Sequence, residues 1–268
     1  MSLSVEPAPL RVAPPPVRGL RLSSRQQSLV GVLALLVLLP FVFRMAPRNF
    51  APFTELEIWR FLAEGVVTVL LISVAAIILS LPVAVSLALG RLSTRAWLRI
   101  PSIGFIEAIR AIPLLLLIFY VFLNMPRDVQ VVISRETLAL TLSLMVYTAA
   151  INAETLRAGI LALDRGQMEA ARSLGLSHAA ALRYVILPQA LRNTLPPLLA
   201  QFTTLVKDTS LGLAISMVEL LQRGVIIYQG FRNPMETLYV VGLLYFGVNF
   251  ILEQASLATQ RGGPAPQQ

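Results

Sequence analysis

The stretch LDRGQMEAARSLGLSHAAALRYVILP, residues 163–188, is a polar-rich island between long apolar segments, and it reads as a folded helical hairpin. Asp164 suits an N-cap, and Gln167 stands where a capping box would reach back to it, so a helix starts there. Gly175 supplies the left-handed residue that closes a helix without a Cβ penalty, and Ser177 can cap a second helix. That helix meets Pro188, whose missing N–H and ring bulk disfavour helical geometry at Leu187. Glu169, Ala170 and Ala171 lie midway along the first helix, where small side chains admit a close neighbour.

Outward from the hairpin the chain is apolar. Of 268 residues, 56% are hydrophobic and 13% charged, and the mean hydropathy is +0.73. That composition excludes an ordinary soluble domain and predicts an all-α, polytopic membrane protein. Cysteine is absent and His178 is the one histidine, which removes disulfides, thiol chemistry and zinc-type metal sites. The net charge of +8 is read as a topological signal on loops rather than as a nucleic-acid surface. Lys207 is the single lysine and precedes Asp208, so no G-x-x-x-x-G-K-[ST] phosphate loop exists and this polypeptide does not hydrolyse ATP by itself.

Residues 1–27 combine a proline run with four arginines and predict a disordered basic tail. The charge-free run 26–43 approaches the length needed to cross a bilayer, and residues 28–43 are assigned to an extra N-terminal span. A cleavable signal peptide is the rival, but Phe43-Arg44-Met45-Ala46 lacks the small-x-small pattern. Residues 44–64 mix three arginines with three glutamates and read as an outer loop with a short amphipathic piece at Ile58–Leu62. The run 65–90 is the surest span, with Pro82 expected to kink it. Arg91, Arg95 and Arg99 form a basic loop before Pro101. The charge-free run 111–126 is short, so its crossing begins earlier and carries Glu107 and Arg110 to the membrane surface. These two sit at i and i+3, which favours an interfacial ion pair over a role in transport.

Residues 137–153 form the next span, ending in Asn152, Glu154 and Arg157 before the hairpin. In the following span, Arg192 and Glu219 bracket a run in which Lys207, Asp208, Thr209 and Ser210 fall about halfway across. Charges at that depth cost about 2.5 kcal/mol or more each and face a bundle interior or a wet cavity. Pairing with a carboxylate on a neighbouring helix and lining a pathway are both open, the second through a loosened, polar stretch of helix. A loop with Arg223 and Arg232 leads to a last span between Glu236 and Glu253, and residues 258–268 read as a disordered tail. With six spans and the hairpin in the cytoplasm, thirteen arginines lie inside and seven outside, which puts both termini in the cytoplasm.

Glu169-Ala170-Ala171, Gly175 and Ile186-Leu187-Pro188 resemble the EAA loop of bacterial ABC importer permeases of type I. AETLRAGI (153–160), RGQMEAARSLGLS (165–177), VILPQALRNTLPPL (185–198) and LVKDTSLG (205–212) are similar to the polar amino acid family, the histidine, glutamine and glutamate type. The likeness continues upstream through FLAEGVVTVLLIS (61–73), ALGRLS (88–93) and EAIRAIPLLL (107–116), so the permease domain is expected over 61–257, with 163–188 as coupling loop. Ile151 stands where an aromatic is usual, Thr155 where an aliphatic is usual, and Pro82 in a span that commonly carries glycine.

The resemblance implies a bacterial inner-membrane permease subunit rather than an enzyme, importing a polar amino acid. Its implied partners are a second permease chain, identical or homologous, a dimer of ATPase subunits and an extracytoplasmic binding protein. ATP and magnesium would be held by the ATPase, and no cofactor by this chain. Glu169 would make the charged contact with the ATPase, Ala170 and Ala171 the close-packed face, Gly175 the turn, and Ile186, Leu187 and Pro188 the exit into the membrane. Asn152, Glu154, Lys207, Asp208, Thr209 and Ser210 are the candidate substrate path. A secondary transporter would also place charges in mid-membrane, and a scaffold or sensor component is the other alternative, but the spans show no inverted repeat and neither explains a capped hairpin.

Overall fold

A computed structural model describes residues 31, 45–126 and 133–261. The tail expected over 1–27, the span expected over 28–43 and the last residues, 262–268, lie outside these, residue 31 apart. The chain divides into Met1–Ala46 and Pro47–Gln268, and the fold is that of the second unit. Among its described residues there is no strand.

A 3-10 segment, Pro47–Thr54, leads into α1, Leu56–Leu92. The piece read from the sequence as a separate amphipathic segment at Ile58–Leu62 is the first part of this 37-residue helix. The helix also runs without a break through Pro82. Then come α2 (Ala96–Ala111), α3 (Leu114–Asn124) and α4 (Arg135–Leu161). The hairpin contributes α5 (Arg165–Ser173) and α6 (His178–Ala181). A π-helical turn at Leu182–Ile186 joins α6 to α7, Leu187–Asp208. A 3-10 stretch, Thr209–Ile215, leads to α8 (Leu220–Phe231), and α9 (Pro234–Arg261) closes the described chain. The last helix thus enters the stretch expected to be a disordered tail, as far as Arg261.

Three helices are long and apolar enough to cross a bilayer, α1, α4 and Pro234–Leu257 of α9. Two further helix pairs are apolar enough only when taken together, as a broken span or a re-entrant loop: α2 with α3, bent by 104°, and His178–Ile215 with α8, bent by 50°. The first bend falls at Ile112-Pro113, where proline ends one helix and caps the next. The basic loop read at 91–101 is mostly helix, since only residues 93–95 separate α1 from α2, and Pro101 lies inside α2.

Each buried cluster draws on α1. Ile72 and Ala76 pack with Ile118, Leu140, Leu144, Leu205 and Ile215. Leu62 and Val69 pack with Val206, Leu220, Ile227 and Val241. Ala84 and Ala88 pack with Ile106, Ala153 and Leu156. The buried face of α1 is rich in small residues, Ser73, Ala76, Ser80, Ala84 and Ala88, the pattern that lets membrane helices approach closely. Its buried hydroxyls stay satisfied within the helix: Ser73 Oγ donates to the Val69 carbonyl and Ser80 Oγ to that of Ile77, both at 2.8 Å.

Gly65 marks the tightest approach of α1 to α8, because a Cβ there would lie 2.8 Å from the Leu220 Cα and 2.9 Å from Arg223 Cδ. Gly65→Ala is therefore expected to lower the thermal unfolding midpoint of the detergent-purified protein, at a cost of roughly 1–3 kcal/mol from overpacking. Gly104→Ala, with nothing within 4 Å of its new methyl, should leave the midpoint unchanged or slightly raised.

Candidate functional site

Two regions hold the residues singled out by the sequence. In the hairpin, Asp164 caps α5 by accepting from the Gly166 amide at 2.8 Å. The capping box does not form, because Gln167 is engaged elsewhere: its Oε1 accepts from Gln189 Nε2 at 3.2 Å, tying α5 to α7. Gly175 takes φ +85°, with its N–H on the Arg172 carbonyl and the Leu176 N–H on that of Ala171, which closes α5 in the Schellman manner. Ser177 caps α6, accepting from the Ala180 amide at 3.3 Å.

Pro188 does not end the second helix. The chain turns into a π-helix one turn earlier, where the Leu187 amide reaches back to the Leu182 carbonyl, and continues helical through Leu187 into α7. Widening the turn relieves the clash of a proline ring with the preceding turn, and the missing N–H falls where pairing is already displaced.

Ala171, Ala181 and Ile186 are buried, so Ala171 belongs to the hairpin's own interior and not to an outward close-packed face. Glu169, Ala170 and Gly175 remain exposed. On the same hairpin Leu174 is 85% exposed and Tyr184 67% exposed, apolar exposure that the sequence reading missed. The cue available was a leucine immediately before the glycine that stops the helix, a position with no room to turn inward.

In the second region, four residues along one face of α4, Tyr147, Ile151, Glu154 and Thr155, join Arg110 of α2 around an open cavity of about 460 Å³. Glu154 is held from two sides, with Arg91 Nη1 3.0 Å from Oε1 and Arg157 Nε 3.2 Å from Oε2. Arg91 also pairs with Glu107 at 2.9 Å. The ion pair expected between Glu107 and Arg110 is thus replaced by a pairing across helices. Arg110 is exposed to the cavity and has no ion pair among the described residues.

The candidate path residues separate. Asn152 is fully buried and turned toward α1, with Nδ2 3.4 Å from Ser80 Oγ. Thr209 is also fully buried, its hydroxyl donating to the Val206 carbonyl at 2.8 Å. Neither faces an opening. Lys207 is exposed and Asp208 half-buried, at the junction where α7 gives way to the 3-10 stretch, and Ser210 donates to the Lys207 carbonyl at 2.7 Å. No ion pair of Lys207 occurs among the described residues, so pairing with a neighbouring helix does not account for it. On α7 the exposed positions Asn193, Pro197, Ala200, Thr204 and Lys207 recur at helical spacing and form one stripe.

Beyond the junction, Ser216 has φ 59° and Glu219 begins α8. The sequence reading treated Glu219 only as the end of a span. It is fully buried, accepting from the Leu221 amide at 2.8 Å, the Gln222 amide at 2.9 Å and the Tyr245 hydroxyl at 2.7 Å.

Residues 80–256 match the model of the binding-protein-dependent transport system inner membrane component family. The chain belongs to this family. The glutamate transport system permease protein GluD of Corynebacterium glutamicum is 33% identical over 217 residues, covering 80% of this chain and 79% of its own. The probable glutamine ABC transporter permease protein GlnP of Bacillus subtilis is 38% identical over 159 residues, 58% of this chain and 71% of its own. A crystal structure of an amino acid ABC transporter with histidines superposes with a TM-score of 0.69 at 28% identity, over 78% of this chain and 97% of that one. An inward-facing MetNI methionine ABC transporter, 21% identical with a TM-score of 0.61, shares the fold. As a multi-pass inner-membrane component of a binding-protein-dependent system, the chain is a transporter permease subunit and not an enzyme. The secondary-transporter and scaffold alternatives fall away.

In this permease the turn of the hairpin depends on Gly175 through backbone conformation alone, since no atom lies within 4 Å of a Cβ built there. Gly175→Ala is expected to cost about 1 kcal/mol and to raise amide hydrogen exchange over residues 170–176. Gly175→Asn, which tolerates the left-handed region, should cost less.

Proposed function

We propose that the chain is the translocation subunit of an ATP-driven importer for a polar amino acid, working beside a second permease chain, above an ATPase dimer and beneath an extracytoplasmic binding protein. The observation that carries the reading is the exposed stripe on α7. Asn193, Thr204 and Lys207 are exposed from the chain's own bundle on a helix of one of the bent apolar pairs. Lipid is a poor neighbour for an amide, a hydroxyl and an ammonium, so this face suits a wet passage completed by the second permease chain. The names of the relatives, permeases for glutamine and for glutamate, support an amino acid as cargo.

In this reading Glu154, Lys207, Asp208 and Ser210 line or border the path. Asn152 and Thr209 support it from behind, one bridging α4 to α1 and the other holding the end of α7. The hairpin is the coupling element. Glu169 and Ala170, with Leu174 added to them, present the face for the ATPase, while Ala171, Gly175, Ile186, Leu187 and Pro188 hold its shape. ATP and magnesium reside on the ATPase. Both termini lie in the cytoplasm, as the arginine distribution favours, and residues 28–43 add a span ahead of the permease core, 61–257.

Glu169→Lys is expected to leave the chain in the membrane but to abolish co-purification of the ATPase and ATP-dependent amino acid uptake in proteoliposomes. Uptake at the normal rate would remove Glu169 from the contact. Lys207→Ala should assemble normally and reduce uptake severalfold, and a failure to assemble instead would assign Lys207 to the packing of the bundle.

A further inference from the structure

We infer that the cavity between α2 and α4 selects amino acids by charge, taking anionic ones in preference to cationic ones. The inference rests on this cavity being part of the amino acid's route. Every amino acid brings a carboxylate and an ammonium, so the charges left unspent in the wall decide which side chain is welcome. One carboxylate lines the cavity, that of Glu154, and an arginine stands against each of its oxygens: Oε1 is buried and 3.0 Å from Arg91 as an ion pair without an accepted hydrogen bond, and Oε2 accepts from Arg157 Nε at 3.2 Å. It has little left to offer an incoming cation. Arg110 faces the same space with no ion pair among the described residues, because Glu107 is drawn to Arg91.

The balance of the wall is therefore positive. Glu154 and Arg110 are the charged residues that line the cavity; Arg91 and Arg157 stand behind Glu154, Arg91 shared with Glu107, and the guanidinium that lines the opening is the one with no ion pair among the described residues. Tyr147 and Thr155 are half-buried members of the same wall and offer hydroxyls to the ammonium common to all amino acids. Outside the cavity, on α7, Lys207 is exposed and has no ion pair among the described residues, its nearest acidic neighbour in the chain being the half-buried Asp208. A wall whose one cation without an ion pair is an arginine favours anions, and a cationic side chain entering the cavity would meet the Arg110 guanidinium, which has no ion pair among the described residues.

The test is equilibrium binding of radiolabelled L-glutamate, L-glutamine and L-arginine to the detergent-purified complex of this chain with its ATPase, with no binding protein present. Glutamate is expected to bind at least about tenfold more tightly than arginine, with glutamine between. Arg110→Gln should lower the glutamate-to-arginine ratio about tenfold, and Glu154→Gln, which removes the wall's one negative charge and frees Arg157, should raise it. A purely structural role for either residue would lower binding of all three together and leave the ratio in place. Arginine binding as tightly as glutamate, a ratio unmoved by Arg110→Gln, or no saturable binding of any of the three would each overturn the inference. ATP-dependent uptake by the reconstituted importer, measured in parallel, separates that outcome from a failure of the transport reading itself.

Discussion

Inside a bilayer apolar surface gains nothing by leaving lipid for another helix, so helices associate only where their backbones come close enough for dense packing. The fold depends on α1 meeting that condition. Its buried face of serine and alanine, Ser73 to Ala88, lets α4 lie against it, and each of the three buried clusters is anchored on it. At Gly65 the requirement becomes absolute, because the backbone of α8 occupies the space a side chain would need.

The second constraint is that polar backbone in the membrane must be satisfied by the protein. Among the described residues two apolar helix pairs are broken by a sharp bend. At Ile112-Pro113 the chain turns sharply between two short helices. At the other break the first turn of α8 is served by the Glu219 carboxylate, which takes two amides and the Tyr245 hydroxyl from α9. A helix start within a bundle, left without such a partner, would strand its free N–H groups away from water. Glu219 thus joins the bent pair to the last helix.

The parts of the site legible in the sequence were those decided by neighbours in the chain. Asp164, Gly175 and Ser177 act through amides two to five residues away, and their roles follow from residue type and spacing. Where a distant partner decides, spacing misleads. Gln167 turns to Gln189 instead of its own helix start, Glu107 to Arg91 instead of Arg110, and Asn152 to Ser80 instead of an opening. Periodicity placed the apolar runs but not their ends, since polar residues such as Glu57 and Arg60 continue α1 beyond the apolar stretch. Pro188 was misread because a π turn, which leaves no mark in a hydrophobic pattern, absorbs it. The cavity drew on both kinds of information: its wall on α4 is one helical face, whereas its cation comes from α2.

Because the π turn keeps Pro188 within a helix, no loop separates the hairpin from α7. From His178 to Asp208 the chain is helical throughout, a rod of about 45 Å at 1.5 Å per residue. The Gln167–Gln189 hydrogen bond fastens α5 to its base. A rod of this kind carries torque as well as thrust, so a rotation imposed on the hairpin turns the whole exposed stripe, Asn193 to Lys207, as one face. What reaches the end of α7 is then a change of heading, and the 3-10 stretch beyond Asp208 is the first softer coupling at which it can be absorbed.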